Sequence, residues 1–241
     1  MNSQHLSKRL QQVADYIVQY SPKPRRLLDI GSDHAYLLTY LGLAGHIDYG
    51  LAGEVVPGPF HSAQQEVAKQ GLNSLIDVRL GDGFEVLTLE DKINAVSICG
   101  MGGALIAKIL ERGYQGLRPN HYLFLQANVG QATLRRWLDR HQYEILAEAI
   151  IEEAGHIYEV MVAHDNPNYQ VGSLSEEAIN FGPYLRQEAS PVFKRYWQGQ
   201  AQKTAYIIDS MKQGASQNQT RIAQLEAHLA LIEKELANDT Q

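Results

Sequence analysis

The chain has 241 residues, 44% of them hydrophobic, which is enough for one α/β domain plus an appendage at about 100–200 residues per domain. Its 21 basic and 27 acidic residues leave a net charge of −6, so a nucleic-acid partner has to be held by local patches and not by the whole surface. The single cysteine, Cys99, excludes an internal disulfide and fits a cytoplasmic setting, as does the lack of a secretory signal in MNSQHLSKRLQQVADYI or of any apolar run near the ~18 residues of a membrane span.

In residues 4–20, Leu6, Leu10, Val13, Ala14 and Ile17 recur at helical spacing, and the prolines of SPKP end the helix. RRLLDIGS is a short apolar strand ending in a glycine turn, and HAYLLTYLGLAG is the helix after it. IDYGLAGEVV reads as a second strand, and PGPFHSAQQEVAKQGL enters a helix through Pro57. IDVRLGDG and INAVSICGMGG are the third and fourth strands, each ending at glycines; YLFLQANV is the fifth, with QATLRRWLDRHQ as its helix. YEILAEAII and HIYEVMVAH close the series, separated only by EEAG. Such alternation predicts a mostly parallel sheet covered by helices with right-handed crossovers, the last pair adding a reversed strand at one edge.

Near residue 165 the composition changes. HDNPNYQVGSLSEEAINFGPYL reads as a linker, and the chain beyond it is helical, which divides it into domains 1–165 and 166–241. Ile208, Met211, Ala215, Asn218, Ile222, Leu225, Leu229, Ile232 and Leu236 form a heptad seam. The turn-like GASQN at 214–218 favours an antiparallel helical hairpin; the other arrangement is a dimerising coiled coil, so both monomer and dimer stay open.

Open parallel sheets bind ligands at the carboxyl ends of their strands. The first strand ends at Asp29–Gly31, the second at Glu54, the third at Asp82 within GDG and the fourth at GMGG, Gly100–Gly103. Gly31 lets the backbone turn tightly, an acid ending the second strand accepts ribose hydroxyls, and Asp82 is placed to accept from an adenine amine. Asp29 and Asp33 beside the turn repel a pyrophosphate and favour a cationic amine or sulfonium; S-adenosylmethionine carries both. Any one of Asp29, Ser32 or Asp33 alone reads equally as a helix cap, and GDG alone as a common turn; the succession of acids is what argues for a ligand. The chain has no G-x-G-x-x-G, no G-x-S-x-G, no H-E-x-x-H and no Cys–His cluster, which speaks against a dinucleotide, a serine nucleophile and a metal.

DIGSDHAYL, GEVVPGP, GDGFEVL, ICGMGG and LFLQANVG together resemble the bacterial tRNA (adenine-N1)-methyltransferases that act on position 22, a family often called TrmK. The resemblance spans nearly the whole chain, including LSKRLQQVADYI and the helical C-terminus. It implies a class I Rossmann-like methyltransferase domain over 1–165, a helical coiled-coil domain over 166–241, S-adenosyl-L-methionine as cofactor and tRNA as partner. The cofactor candidates are then Asp29, Gly31, Ser32, Glu54, Val55, Asp82, Gly83, Gly100 and Met101. Asp33 and His34 are the catalytic candidates, Asp33 to stabilise a cationic product ring and His34 to contact substrate or the methionine end. Amino-directed adenine methyltransferases carry Asn- or Asp-Pro-Pro-aromatic after the fourth strand; CGMGG stands there instead and disfavours that reaction. Ala127 replaces the proline more common in the family, which bears on Gln126 and Asn128 beside it.

RNA needs basic contacts. Residues 104–142 and 186–221 each hold six basic against two acidic side chains, and Lys8, Arg9, Lys23, Arg25 and Arg26 form a third group. From these, Lys8, Arg9, Arg135, Arg136, Lys194 and Arg195 are the candidates for RNA binding, against the alternative of solvated helix faces. A methyltransferase acting on a small molecule or protein, and a non-catalytic RNA-binding protein, remain the competing functions.

Overall fold

The computed structural model describes residues 2–113, 121–213 and 218–238. They fall into two compact units, Met1–Ser173 and Leu174–Gln241.

The first unit is an α/β sandwich. Helix α1 (Lys8–Tyr20) precedes β1 (Arg26–Ile30), α2 (Tyr36–Leu43), β2 (Tyr49–Glu54), α3 (Pro57–Lys69) and β3 (Ile76–Leu80). After these come β4 (Ala95–Gly102), α4 (Gly103–Gly113), β5 (Tyr122–Val129), α5 (Gln131–Arg140), β6 (Tyr143–Glu153) and β7 (His156–Asp165). The seven strands lie in the order β3-β2-β1-β4-β5-β7-β6. The first five are parallel, and β7 pairs antiparallel with both β5 and β6. The reversed strand expected at the edge therefore lies at that end of the sheet but one place in. β6 crosses to the rim, and the hairpin returns between it and β5. The hairpin turn is two residues, Ala154 (φ +49°) and Gly155 (φ +77°), the doubly left-handed geometry whose twist matches the strands it joins.

The strand sequences reflect this burial. Leu27, Leu28, Asp29 and Ile30 are all buried, as a strand covered on both faces requires. On one face Leu27, Ala52, Ala95 and Phe124 pack with Val13, Ala14 and Ile17 of α1, Leu37, Leu38 and Leu41 of α2, and Ala63 and Val67 of α3. Each fully buried Val, Leu or Ile contributes about 1.5–3 kcal/mol. Ser7 caps α1, its hydroxyl accepting from the Leu10 N–H at 3.4 Å, and Pro22 lies just beyond its end.

At the β6–β7 end the second layer encloses an ion cluster. Arg135 of α5 is 0% exposed, its Nε donating to Glu148 of β6 at 2.7 Å and its Nη2 to Glu159 of β7 at 2.5 Å. Arg135 is thus a core residue, and its assignment to RNA is corrected: a guanidinium closed between two buried carboxylates reaches no phosphate. Burial pushes the Glu159 carboxyl up, against the pull of Arg135.

Residues 166–173 fold back on the first unit, with Asn166 donating to Glu144 and the Tyr169 hydroxyl to Asp139, both at 2.7 Å. Among the described residues no helix is long and apolar enough to cross a membrane.

The second unit is helical: α6 (Glu176–Phe181), α7 (Pro183–Glu188), α8 (Pro191–Gln213) and α9 (Gln219–Asn238). Part of the expected linker is thus helix. Ser175 caps α6, accepting from the Ala178 N–H at 3.1 Å. Helices α8 and α9 run antiparallel, with Lys212 at the end of one paired to Glu226 near the start of the other at 2.7 Å. Ile222, Leu225, Leu229, Ile232 and Leu236 share the less exposed stripe of α9, and Phe193, Trp197, Thr204 and Ile208 are the buried positions of α8. The expected seam is therefore split between two helices. Ala215 lies outside the described residues. Arg186 of α7 makes two 2.7 Å bonds to Glu235 of α9.

Candidate active site

A cavity of about 280 Å³ opens at the carboxyl ends of β1 and β4, where the strand order reverses. Asp29, Gly31, Ser32 and Asp33 line one side, Cys99, Gly100 and Met101 another, and Arg9, Leu10, Tyr36 and Leu37 the rest.

The corner after β1 is built from left-handed backbone. Gly31 has φ +71°, and its N–H bonds the Gly53 carbonyl at 2.9 Å. The left-handed turn is what calls for glycine at Gly31; a Cβ there would also stand 2.3 Å from Met101 Cε, the end of a flexible side chain that would have to shift. Asp33 (φ +57°) and Ala35 (φ +54°) are also left-handed. Glu54, at the end of β2, holds this corner by accepting the Asp33 backbone N–H. No side chain caps α2, so the simple capping role for Asp29, Ser32 or Asp33 does not apply.

Asp29 is buried opposite Ser97 of β4, whose hydroxyl donates to its Oδ1 at 2.6 Å. Burial pushes the Asp29 carboxyl up, and the nearby Ser97 and Ser32 hydroxyls pull it down. The Ser32 Oγ is buried and, among the described residues, has no partner at hydrogen-bonding geometry. The Glu54 carboxyl is pushed up to about 7, chiefly by burial and further by the charges of Asp29 and Asp33, while the Asp33 N–H opposes the shift. Glu54 is therefore poised to be ionised or neutral near physiological pH.

The opposite wall depends on a bulge. Cys99 faces Gln126 and Met101 faces Ala127, so Gly100 (φ +77°) is the extra residue in β4. The bulge turns Met101 towards Gly31. It is locked from β5: fully buried Gln126 accepts the Gly100 N–H at 3.0 Å through its Oε1 and donates to Asn128 at 3.1 Å, and Asn128 donates to the Gly100 carbonyl at 2.8 Å. The same Gln126 oxygen accepts Arg9 Nη1 at 2.7 Å. Gly103, first residue of α4, permits a different close approach, since a Cβ there would lie 2.2 Å from the Gly130 carbonyl oxygen.

Six of the expected cofactor and catalytic residues thus meet at the cavity: Asp29, Gly31, Ser32, Asp33, Gly100 and Met101. Glu54 adjoins it through Asp33. His34 lies outside the lining, stacked on Tyr36 with ring centroids 5.0 Å apart. Val55 is 62% exposed just beyond Glu54. Asp82 and Gly83 line a separate cavity of about 90 Å³, and both Asp82 oxygens accept from Arg112, at 2.6 and 3.1 Å. Of the basic candidates, Lys8 is exposed, Arg136 and Lys194 half-buried and Arg195 exposed, while Arg9 belongs to the cavity wall. Sequence reasoning missed Ser97 and Tyr36 as parts of the site, and it set Gln126 aside because Ala127 stands beside it where the family more often has proline. Ser97 had a signal, a lone hydroxyl in an apolar strand; Tyr36 had none. Among the described residues no group of three His, Cys, Asp or Glu side chains is placed to hold a metal ion.

The sequence profile of the family described as tRNA (adenine(22)-N(1))-methyltransferase matches residues 27–234. The chain belongs to that family. The tRNA (adenine(22)-N(1))-methyltransferase of Bacillus subtilis is 41% identical over 97% of this chain and 98% of its own length. Among solved structures of tRNA (adenine(22)-N(1))-methyltransferase relatives, a Streptococcus pneumoniae protein in complex with S-adenosyl-L-methionine superposes with a TM-score of 0.85 at 38% identity, covering 96% of this chain and 100% of that one. A Mycoplasma capricolum TrmK in complex with S-adenosyl-homocysteine gives 0.81 at 26% identity, covering 96% and 98%.

Proposed function

We propose that the chain transfers a methyl group from S-adenosyl-L-methionine to N1 of the adenine at position 22 of tRNA, in the cytoplasm. The observation that carries this reading is the cavity between β1 and β4. Its wall combines two carboxylates, a guanidinium and a buried hydroxyl near Asp29 that has no partner at hydrogen-bonding geometry among the described residues. That donor and acceptor set fits a ligand with an amine, a sulfonium and polar edges, and it suits a pyrophosphate poorly.

We assign cofactor binding to the first unit and treat the helical unit, a coiled-coil hairpin in this reading, as an appendage that assists tRNA binding. Ser32 and Asp29 would hold the amino-acid end, Glu54 the ribose hydroxyls, and Val55, Asp82 and Gly83 the adenine, Asp82 exchanging Arg112 for the exocyclic amine. The bound cofactor supplies a methyl group made electrophilic by its sulfonium.

Adenine N1 carries its own in-plane lone pair, so no side chain has to remove a proton before attack. The protein's task is to align the base and exclude water, and alignment alone supplies roughly 7–11 kcal/mol of a barrier. Gly100 and Gly102, bare of side chains on the bulged end of β4, leave room for the base. Exposing N1 from the tRNA's own contacts costs a few kcal/mol. The methylated ring is cationic, and Asp33, exposed at the rim, offers it a carboxylate. His34 beside it is assigned substrate contact. Lys8, Arg136, Lys194 and Arg195 are assigned to phosphates, which makes tRNA binding salt-dependent.

The test is incubation of the purified protein with labelled S-adenosyl-L-methionine and bulk bacterial tRNA, with nucleoside analysis of the product. N1-methyladenosine should form and should be lost in Asp29→Ala and Glu54→Ala. Cofactor binding without tRNA methylation would shift the substrate to a small molecule or protein.

A further inference from the structure

Asn128, next to last in β5, stands beside the bulge and carries none of the roles assigned so far. It is exposed, and its side chain lies on the same face of β5 as that of Gln126, two residues earlier. Gln126 reaches Gly100 of the cavity lining, and Asn128 bonds the same glycine, so it sits at the cavity mouth. The direction of each amide is fixed by the bonds around it. The Gln126 oxygen accepts from Arg9 and from the Gly100 N–H, so its nitrogen is the end that meets Asn128. Asn128 Oδ1 accepts there at 3.1 Å, and its Nδ2 donates to the Gly100 carbonyl at 2.8 Å. A carboxamide offers two lone pairs and two N–H groups. Each end of Asn128 spends one of its two on the described residues. One acceptor and one donor remain, side by side, on an exposed group held at both ends.

An adjacent donor and acceptor match two edges of adenine. The amine and N1 present one such pair, the amine and N7 the other, and asparagine commonly takes the second. An enzyme that methylates N1 has to leave that atom free for the sulfonium methyl, so a side chain that reads the base is confined to the amine and N7. Guanine offers two acceptors on that edge, O6 and N7, and sets a lone pair against the Asn128 oxygen. Locking the bulge accounts for half of the Asn128 amide and leaves the other half open to whatever enters the mouth. We propose that Asn128 reads the target adenine, its Oδ1 accepting from the exocyclic amine and its Nδ2 donating to N7, with N1 left unengaged; this assignment rests on the methylation of adenine N1 proposed above. The bonds to Gln126 and Gly100 set the amide in advance, so the base meets a donor and an acceptor already in place.

The experiment is methyl transfer by the full chain from labelled S-adenosyl-L-methionine to synthetic tRNA carrying adenine or 7-deazaadenine at position 22. The deaza base exchanges N7 for C–H, keeps the amine and leaves N1 at least as basic, so a loss reports the N7 contact and not a weaker nucleophile. The wild type should prefer adenine in kcat/KM by about twofold to tenfold, the range of one neutral hydrogen bond. Asn128→Ala should lower kcat/KM on adenine by about fivefold to a hundredfold, the range of a bidentate contact to a base, and erase the preference. Asn128→Asp, which keeps an acceptor for the amine and loses the donor for N7, should erase the preference too. A residue that only locked the bulge would slow both tRNAs alike, so an unchanged ratio in either variant overturns the proposal. A wild type that methylates both tRNAs equally overturns it as well, and that result needs no variant to fold. Cofactor binding without methylation of either tRNA overturns the function on which the proposal rests, and the proposal with it.

Discussion

The two halves of the sheet treat buried polar groups in opposite ways. At the β5–β7–β6 end, Arg135 is closed between Glu148 and Glu159, and each charge finds its partner inside the protein. At the β1–β4 end, among the described residues, Ser32 Oγ has no partner at hydrogen-bonding geometry, Arg9 donates to the neutral Gln126 amide and lies over the Tyr158 ring, and Glu54 spends an oxygen on a backbone N–H while its carboxyl is held up near 7. Both regions hold an arginine near carboxylates in the same unit. In one the buried charges are paired with each other inside the protein; in the other the polar groups stay open towards the cavity. Composition does not separate these cases, but the inventory of partners does, because a buried polar group left unpaired costs about 1–3 kcal/mol unless something binds it.

The comparison breaks first at the closed end. Arg135→Ala leaves two buried carboxylates without their cation and should lower unfolding free energy by about 3–5 kcal/mol in urea titrations. The triple change Arg135→Met, Glu148→Leu, Glu159→Leu should recover most of that loss, since removing all three charges also removes their desolvation cost. Neither set should alter the salt dependence of tRNA binding; a changed slope would return Arg135 to the RNA surface. The open end answers to a smaller change. Gly31→Ala puts a Cβ against Met101 in a left-handed turn, with strain of about 1–3 kcal/mol, and should weaken S-adenosyl-L-methionine more than tenfold in titration while the protein stays folded.

How much of this was legible in the sequence depends on whether the deciding partner was local. The parallel strands, the glycine turn after β1 and the acids ending β1 and β2 were readable, because apolar runs bounded by glycines and alternating with helices leave few other arrangements. Arg135 and Arg136 look alike in LRRWL, yet one is core and the other half-buried. The difference is made by Glu148 and Glu159, 13 and 24 residues further on, which face inwards from two strands. Asp82 fitted the succession of acids, but its carboxylate is taken by Arg112, 30 residues away. The Gly100 bulge leaves no trace in GMGG, since it is defined by register against β5. Helices α6 and α7 were hidden in a linker-like composition because six residues are too few for periodicity to show.

The finest test of the open end is its pH dependence. The Glu54 carboxyl titrates near 7 in the folded chain and near 4.5 when unperturbed, the difference arising first from burial and then from Asp29 and Asp33. The folded state thus holds a proton that the unfolded state has released. This group's contribution to stability therefore falls as pH rises from about 4.5 to 7, and the loss is complete above that window. Cofactor binding carries the opposite sign, because ribose hydroxyls donate best to the ionised carboxylate. Affinity for S-adenosyl-L-methionine should rise between pH 6 and 8 by up to about tenfold, with its midpoint near 7, and then level off. Glu54→Gln should bind more weakly at pH 8 and flatten the profile across that range. A profile that keeps its midpoint in Glu54→Gln would assign the titration to another group and remove Glu54 from the ribose.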